Sequence, residues 1–111
     1  MEPAPRRPSY DVAGYEVLAE TPELRMVVLT LAQGQEVPWH WHTSVADRFF
    51  CMQGPMVVET RAPREVFELN PGDTCVVPAR RAHHVMGKDG GPCKFGLLQG
   101  LGAYDFIPVG G

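Results

Sequence analysis

The stretch Gly34–Gly54, GQEVPWHWHTSVADRFFCMQG, and its later counterpart Gly72–Gly87, GDTCVVPARRAHHVMG, decide the reading of this chain. All four histidines fall inside them, as His40 with His42 and as His83 with His84. In an extended strand, residues two apart face the same way with Cα atoms roughly 6.5–7 Å apart, so His40 and His42 can converge on one ion. Adjacent residues face opposite ways, so only one of His83 and His84 can join them; a helical pair would need a spacing of three or four. Imidazole suits Zn, Cu, Fe and Ni. An H-x-H triplet alone also arises by chance, and exposed histidines need no function.

Outward from these stretches, short β-prone runs alternate with turn signals. The strands expected are Tyr15–Ala19, Leu24–Leu31, Val37–His42, Asp47–Met52, Met56–Thr60, Val66–Leu69, Thr74–Val77, His83–Met86, Lys94–Gln99 and Tyr104–Val109. Gln53-Gly54-Pro55 and Asn70-Pro71-Gly72-Asp73 are turns of the kind that join strands. No stretch keeps apolar residues at helical spacing for three turns. The pattern gives an all-β sandwich or barrel. Gly34, Gly54 and Gly72 are expected at sharp turns with positive φ, and Pro78 at a strand end.

The 111 residues fit one domain. Residues 1–9 are read as a flexible arm and residues 10–111 as the β-barrel domain. The 12 Gly and 11 Pro are scattered, which suits many short elements. A net charge of -3 with no Lys/Arg cluster argues against nucleic acid. No apolar run approaches membrane-spanning length, and the first nine residues lack the apolar segment of a secretory signal. Cys51, Cys75 and Cys93 show no C-x-x-C spacing and are read as reduced thiols of a cytoplasmic protein.

The frame around the histidines resembles the cupin superfamily. Its first motif is commonly written G-x5-H-x-H-x3–4-E-x6-G; here Gly34, His40, His42, Asp47 and Gly54 meet each spacing, with Asp in the place of Glu. The second, G-x5-P-x-G-x2-H-x3-N, is met by Gly72, Pro78 and His83, with Arg80 for its second Gly and Gly87 for its Asn. The resemblance implies a cupin double-stranded β-helix, jelly-roll-like. It also implies one divalent transition metal per chain (Fe, Mn, Ni, Cu, Co or Zn) on His40, His42 and His83. Small cupins are often homodimers, and a homodimer is expected.

Asp47 is one methylene shorter than the family's Glu. It is expected as a fourth ligand, as a hydrogen-bond partner of a metal-bound water or a histidine N–H, or as a catalytic acid/base. A bland alternative is a pair with Arg48, Arg81 or a backbone amide. With Asp47 inward, Phe49 and Cys51 also face inward, and Arg48, Phe50 and Met52 face outward. Cys51 is read as a small buried hydrophobe. Trp39, Trp41 and Phe50 are expected to form one outer apolar patch. Tyr104 and Asp105 are expected to cap the barrel mouth or to be ordinary surface, and Arg81 and His84 to offer an anion contact there. The leading functional expectation is a metal-dependent enzyme on a small organic substrate: a dioxygenase, or a Lewis-acid isomerase, cyclase or dehydratase. The other is a small-molecule-binding or sensing module with a structural metal. Neither nucleic acid nor membrane is expected as a partner.

Overall fold

The computed structural model describes residues 8–109. Residues 1–7 of the expected arm therefore lie outside the described residues. Ten strands follow in order: β1 (Gly14–Thr21), β2 (Leu24–Leu31), β3 (Glu36–Trp41), β4 (Ala46–Gln53), β5 (Met56–Thr60), β6 (Glu65–Leu69), β7 (Thr74–Val77), β8 (His83–Gly87), β9 (Cys93–Gly100) and β10 (Ile107–Pro108). A single 3-10 turn, Lys88–Gly90, sits between β8 and β9. No helix among the described residues is long and apolar enough to cross a membrane.

The strands form two five-stranded antiparallel sheets, ordered β1-β2-β9-β4-β7 and β10-β3-β8-β5-β6. Their inner faces share one core, drawn from both sheets and including Leu29, Phe49, Phe95, Met56, Val58 and Val85. Phe49 and Phe95 pack ring to ring at 5.7 Å. Each such buried side chain contributes roughly 1.5–3 kcal/mol.

Register sets out this interior in rows. Across the first sheet, Leu29, Phe95 and Cys51 are partners, as are Val27, Leu97 and Phe49. The next row is polar: Arg25, Gln99 and Asp47. Across the second sheet, Val85 pairs with Val37 and Val58, and the next row is His40, His83 and Thr60. Both sheets therefore turn from apolar to polar at the same end of the barrel. The site sits between those two rows.

One irregularity makes this possible. Val37 pairs with Val85 but His40 pairs with His83, so β3 carries an extra residue across this step. Pro38, inside the bulge, has no N–H to give to a ladder. His40 is three positions after Val37, yet both are buried. Without the bulge, strand alternation would send His40 to the outer face whenever Val37 faced the core.

Three expectations need correction. The last strand covers only Ile107–Pro108, not Tyr104–Val109, because Tyr104–Phe106 leave the sheet to close the barrel mouth. Gly34 and Gly72 do take positive φ, at 82° and 95°, but Gly54 does not; a Cβ there would lie 2.8 Å from the Met56 nitrogen and 2.9 Å from Cys51 Sγ, so close packing explains it. Trp39, Trp41 and Phe50 do not form one patch, since β3 and β4 belong to different sheets. Trp39 instead stacks on His84 at 5.5 Å and lies under Arg61 at 3.9 Å.

The departures in the second motif also have physical readings. Arg80 takes φ 69°, the left-handed region that favours the motif's glycine. Gly87 has no room for the motif's Asn: a Cβ there would lie 1.8 Å from the carbonyl oxygen of Gly91. Gly87→Asn is therefore expected to destabilise the fold by about 1–3 kcal/mol in urea unfolding. The surface change Met52→Ala should stay within roughly 0.5 kcal/mol. An unchanged midpoint for Gly87→Asn would contradict this packing.

Candidate metal centre

His40 lies near the end of β3, His42 just beyond it, Asp47 near the start of β4 and His83 at the start of β8. One ligand atom from each lies within 4.8 Å of the others, and all four residues are buried. Asp47 Oδ2 is 3.0 Å from His42 Nε2 and 2.8 Å from His83 Nε2. Asp47 Oδ1 accepts from Gln99 Nε2 at 3.0 Å. The shorter carboxylate thus reaches the histidines, and the alternative pairings with Arg48 or Arg81 do not occur.

The other ring nitrogens determine what this cluster can hold. His40 Nδ1 lies 2.8 Å from the Pro38 carbonyl, His42 Nδ1 2.5 Å from the Asp105 carbonyl and His83 Nδ1 2.9 Å from the Arg81 carbonyl. A carbonyl only accepts, so each Nδ1 donates its proton there and each Nε2 is left to the site. Such outer partners fix the tautomer and orientation of a metal-binding imidazole. Where Nε2 of His42 and His83 faces a carboxylate, the contact is favourable only with a second proton or a cation between them. Three imidazole nitrogens and a carboxylate oxygen are a donor set for a divalent transition metal. Ligand atoms about 2.0–2.2 Å from one ion lie roughly 3–3.5 Å apart, and the two Asp47 contacts, at 3.0 and 2.8 Å, are close to that spacing. The residues fit the metal.

Electrostatics agree with that arrangement. Burial, reinforced by His83, pushes His40 down to about 3, so its ring is neutral and its Nε2 lone pair is available. Burial acts to lower His42, but the hydrogen bond and charge of Asp47 and the Asp105 carbonyl raise it overall. Burial acts to raise Asp47, yet hydrogen bonds from His42 and His83 hold its carboxyl well below the usual carboxylate range. A buried carboxylate facing two imidazoles in this way is compatible with a bound cation.

Above it lies a cavity of about 40 Å³, reached by His40, His42 and Asp47 and also lined by Arg25, Gln99, Tyr10 and Tyr104. The segment after β9 closes the mouth. Asp105 Oδ1 accepts from the Thr43 amide at 2.8 Å, and the Phe106 ring stacks on His40 at 4.3 Å. Tyr10 packs on Phe106 at 5.7 Å. Tyr104 and Asp105 therefore do cap the barrel.

Arg81 and His84 take no part in the mouth. Arg81 bonds the Pro63 carbonyl and Glu65, and His84 bonds Glu36 at 3.1 Å on the outer face. The thiols are structural: burial raises all three, Cys75 and Cys93 to about 11, and none lines the cavity. Arg25, Gln99 and Phe106 escaped the reading of the sequence. Arg25 and Gln99 had a signal, since each is a polar residue on the inward parity of an otherwise apolar strand. Phe106 had none, because a loop has no period.

No curated protein sequence matches this chain. Among solved structures, it is similar to an uncharacterised conserved protein with a double-stranded β-helix domain from Klebsiella pneumoniae, with 22% identity, TM-score 0.73, and coverage of 95% of this chain and 90% of that one. A cupin superfamily protein from Desulfitobacterium hafniense matches with 24% identity and TM-score 0.66, over 79% of this chain and 75% of its own. An oxalate decarboxylase from Lactobacillus farciminis, solved with formate, matches with 19% identity and TM-score 0.69, over 78% of this chain and 27% of its own. Likeness at these identities shows the double-stranded β-helix fold alone. The profile of the Cupin domain family matches residues 27–98, well over half of the chain, and this protein belongs to the cupin family.

Proposed function

We propose that this cupin is a metal-dependent enzyme acting on a small organic molecule, with one divalent transition metal held by His40, His42, His83 and Asp47. The observation that carries the reading is the cavity above the cluster. Three histidines have Nδ1 tied to backbone carbonyls and Nε2 left to the site, and His40, His42 and Asp47 line a cavity of about 40 Å³. When bound, such an ion supplies Lewis acidity toward a substrate oxygen, or a redox centre.

The residues around it have separable tasks. Phe106 and Tyr10 keep bulk water off His40, and Asp105 fixes the ring of His42. Asp47 Oδ1 accepts from Gln99, and its Oδ2 lies 3.0 and 2.8 Å from the inner nitrogens of His42 and His83, the place a shared cation would take. A carboxylate so placed, and held strongly acidic, suits a ligand better than a general base. The reaction class stays with the two expected families, an oxygenase or a Lewis-acid isomerase, cyclase or dehydratase. A second reading is a binding or sensing cupin with a structural metal, supported by the fourth donor, Asp47, which helps to close the coordination shell.

Elemental analysis of untagged protein is expected to find about one transition metal per chain. His83→Ala should abolish it, whereas His84→Ala should keep it nearly intact, because His84 bonds Glu36 on the outer face. Loss in His84→Ala with retention in His83→Ala, or no affinity for added metal in the parent protein, would overturn the assignment. Asp47→Asn should weaken metal affinity at least about tenfold in a chelator competition; unchanged affinity would remove Asp47 from the ligand set. Turnover that survives complete metal removal would contradict the enzyme reading, and an absence of any metal-dependent turnover across both reaction classes would favour the binding module.

A further inference from the structure

Arg25 is the feature of the cavity that metal binding leaves unexplained. The residue is 6% exposed, on the inner face of β2. Nη2 donates to the Tyr15 hydroxyl, and the Tyr104 ring lies against the guanidinium at 4.0 Å, but Nε and Nη1 have no hydrogen-bond partner. Among the described residues no carboxylate forms an ion pair with it. Two phenol neighbours do not neutralise a charge. A buried cation without a counter-ion is strongly unfavourable, because the interior does not replace the hydration it has lost. Arginine never sheds its proton to escape that cost.

A second orphan stands beside it. Gln99 is the cross-strand partner of Arg25 on one side and of Asp47 on the other. Its Nε2 donates to Asp47 Oδ1, and its Oε1 is buried with no partner. The amide cannot be turned round, because Oε1 would then face an acceptor-only carboxylate. One row across the sheet thus offers free cationic N–H donors, a free acceptor and the histidine–Asp47 cluster, in that order. Neighbouring strands lie about 4.8 Å apart, so the row spans roughly 10 Å between the outer Cα atoms.

We propose that the cavity binds a small hydroxy acid, its carboxylate held by the unpartnered N–H groups of Arg25 and its hydroxyl donating to Gln99 Oε1 at the edge of the metal cluster. Each orphaned atom then gains a partner of complementary charge or hydrogen-bonding sense. The small cavity restricts the ligand to few carbons. A neutral alcohol would leave Arg25 uncompensated, and an amine would add a like charge. The position of the hydroxyl rests on the metal-centre reading; the Arg25–carboxylate contact does not.

The test uses full-length protein, as purified and after chelator treatment, with glycolate, lactate and uncharged glycolamide as probes. Calorimetry of the wild type should show glycolate or lactate bound at least about tenfold more tightly than glycolamide, as for a charge-assisted hydrogen bond. Arg25→Met should lose that preference while keeping the parent metal content. The Arg25 Nε–H resonance, assigned by its absence in Arg25→Lys, should move when either acid is added to the wild type. Retention of the preference by Arg25→Met, or an unmoved Nε–H signal at millimolar glycolate and lactate, overturns the proposal. If Arg25→Met does not fold, the wild-type Nε–H titration decides alone. A protein that binds the acids through Arg25 but holds no metal would fail the metal reading and uphold this one; metal retained with no response at Arg25 would do the reverse.

Discussion

A buried carboxylate organises this molecule. Asp47 is 1% exposed and sits where the polar rows of both sheets meet, with His42, His83 and Gln99 directed at its two oxygens. An isolated ionised group at that depth would be prohibitively costly, so its surroundings must supply positive charge and hydrogen bonds. The histidines supply both only when a proton or metal lies on their inner nitrogens. Their outer nitrogens are already committed to carbonyls of Pro38, Asp105 and Arg81. The barrel end is therefore compatible with a bound cation, and the apolar rows beneath it hold the geometry.

Most of this was legible in the residues. Alternation and turn chemistry locate nine of the strands and overextend the tenth, because one face of each longer strand is buried and register is strongly specified there. The separation of His83 from His84 followed from strand geometry: His83 enters the cluster and His84 stacks on Trp39 outside. The paired H-x-H and second-motif spacings then placed His40, His42, Asp47 and His83 in one site.

What was not legible depends on register and on loops. The cross-strand row Arg25–Gln99–Asp47 pairs residues 74 and 52 positions apart in sequence, and no local pattern encodes it. The Pro38 bulge hides in a stretch that looks regular, yet it lets Val37 and His40 share a face. The loop Tyr104–Phe106 reads as strand in the sequence because its aromatic residues have high β propensity. Tertiary contacts with His40, His42 and Thr43 override that preference. Gly87 and Arg80 depart from the family pattern in opposite ways: the first because the backbone of Gly91 leaves no room, the second in a left-handed conformation that glycine would adopt freely.

The central claim is that three inner histidine nitrogens and Asp47 converge on one cation. Long-range proton–nitrogen NMR of the histidine rings, recorded on metal-free protein and after one equivalent of zinc, tests it most directly. The account predicts that Nε2 of His40, His42 and His83 shifts together at one equivalent, that each Nδ1 stays protonated on its carbonyl, and that His84 does not respond. Zinc-induced shifts at Nδ1 or at His84, or no shift at any of the three Nε2 nitrogens, would contradict it.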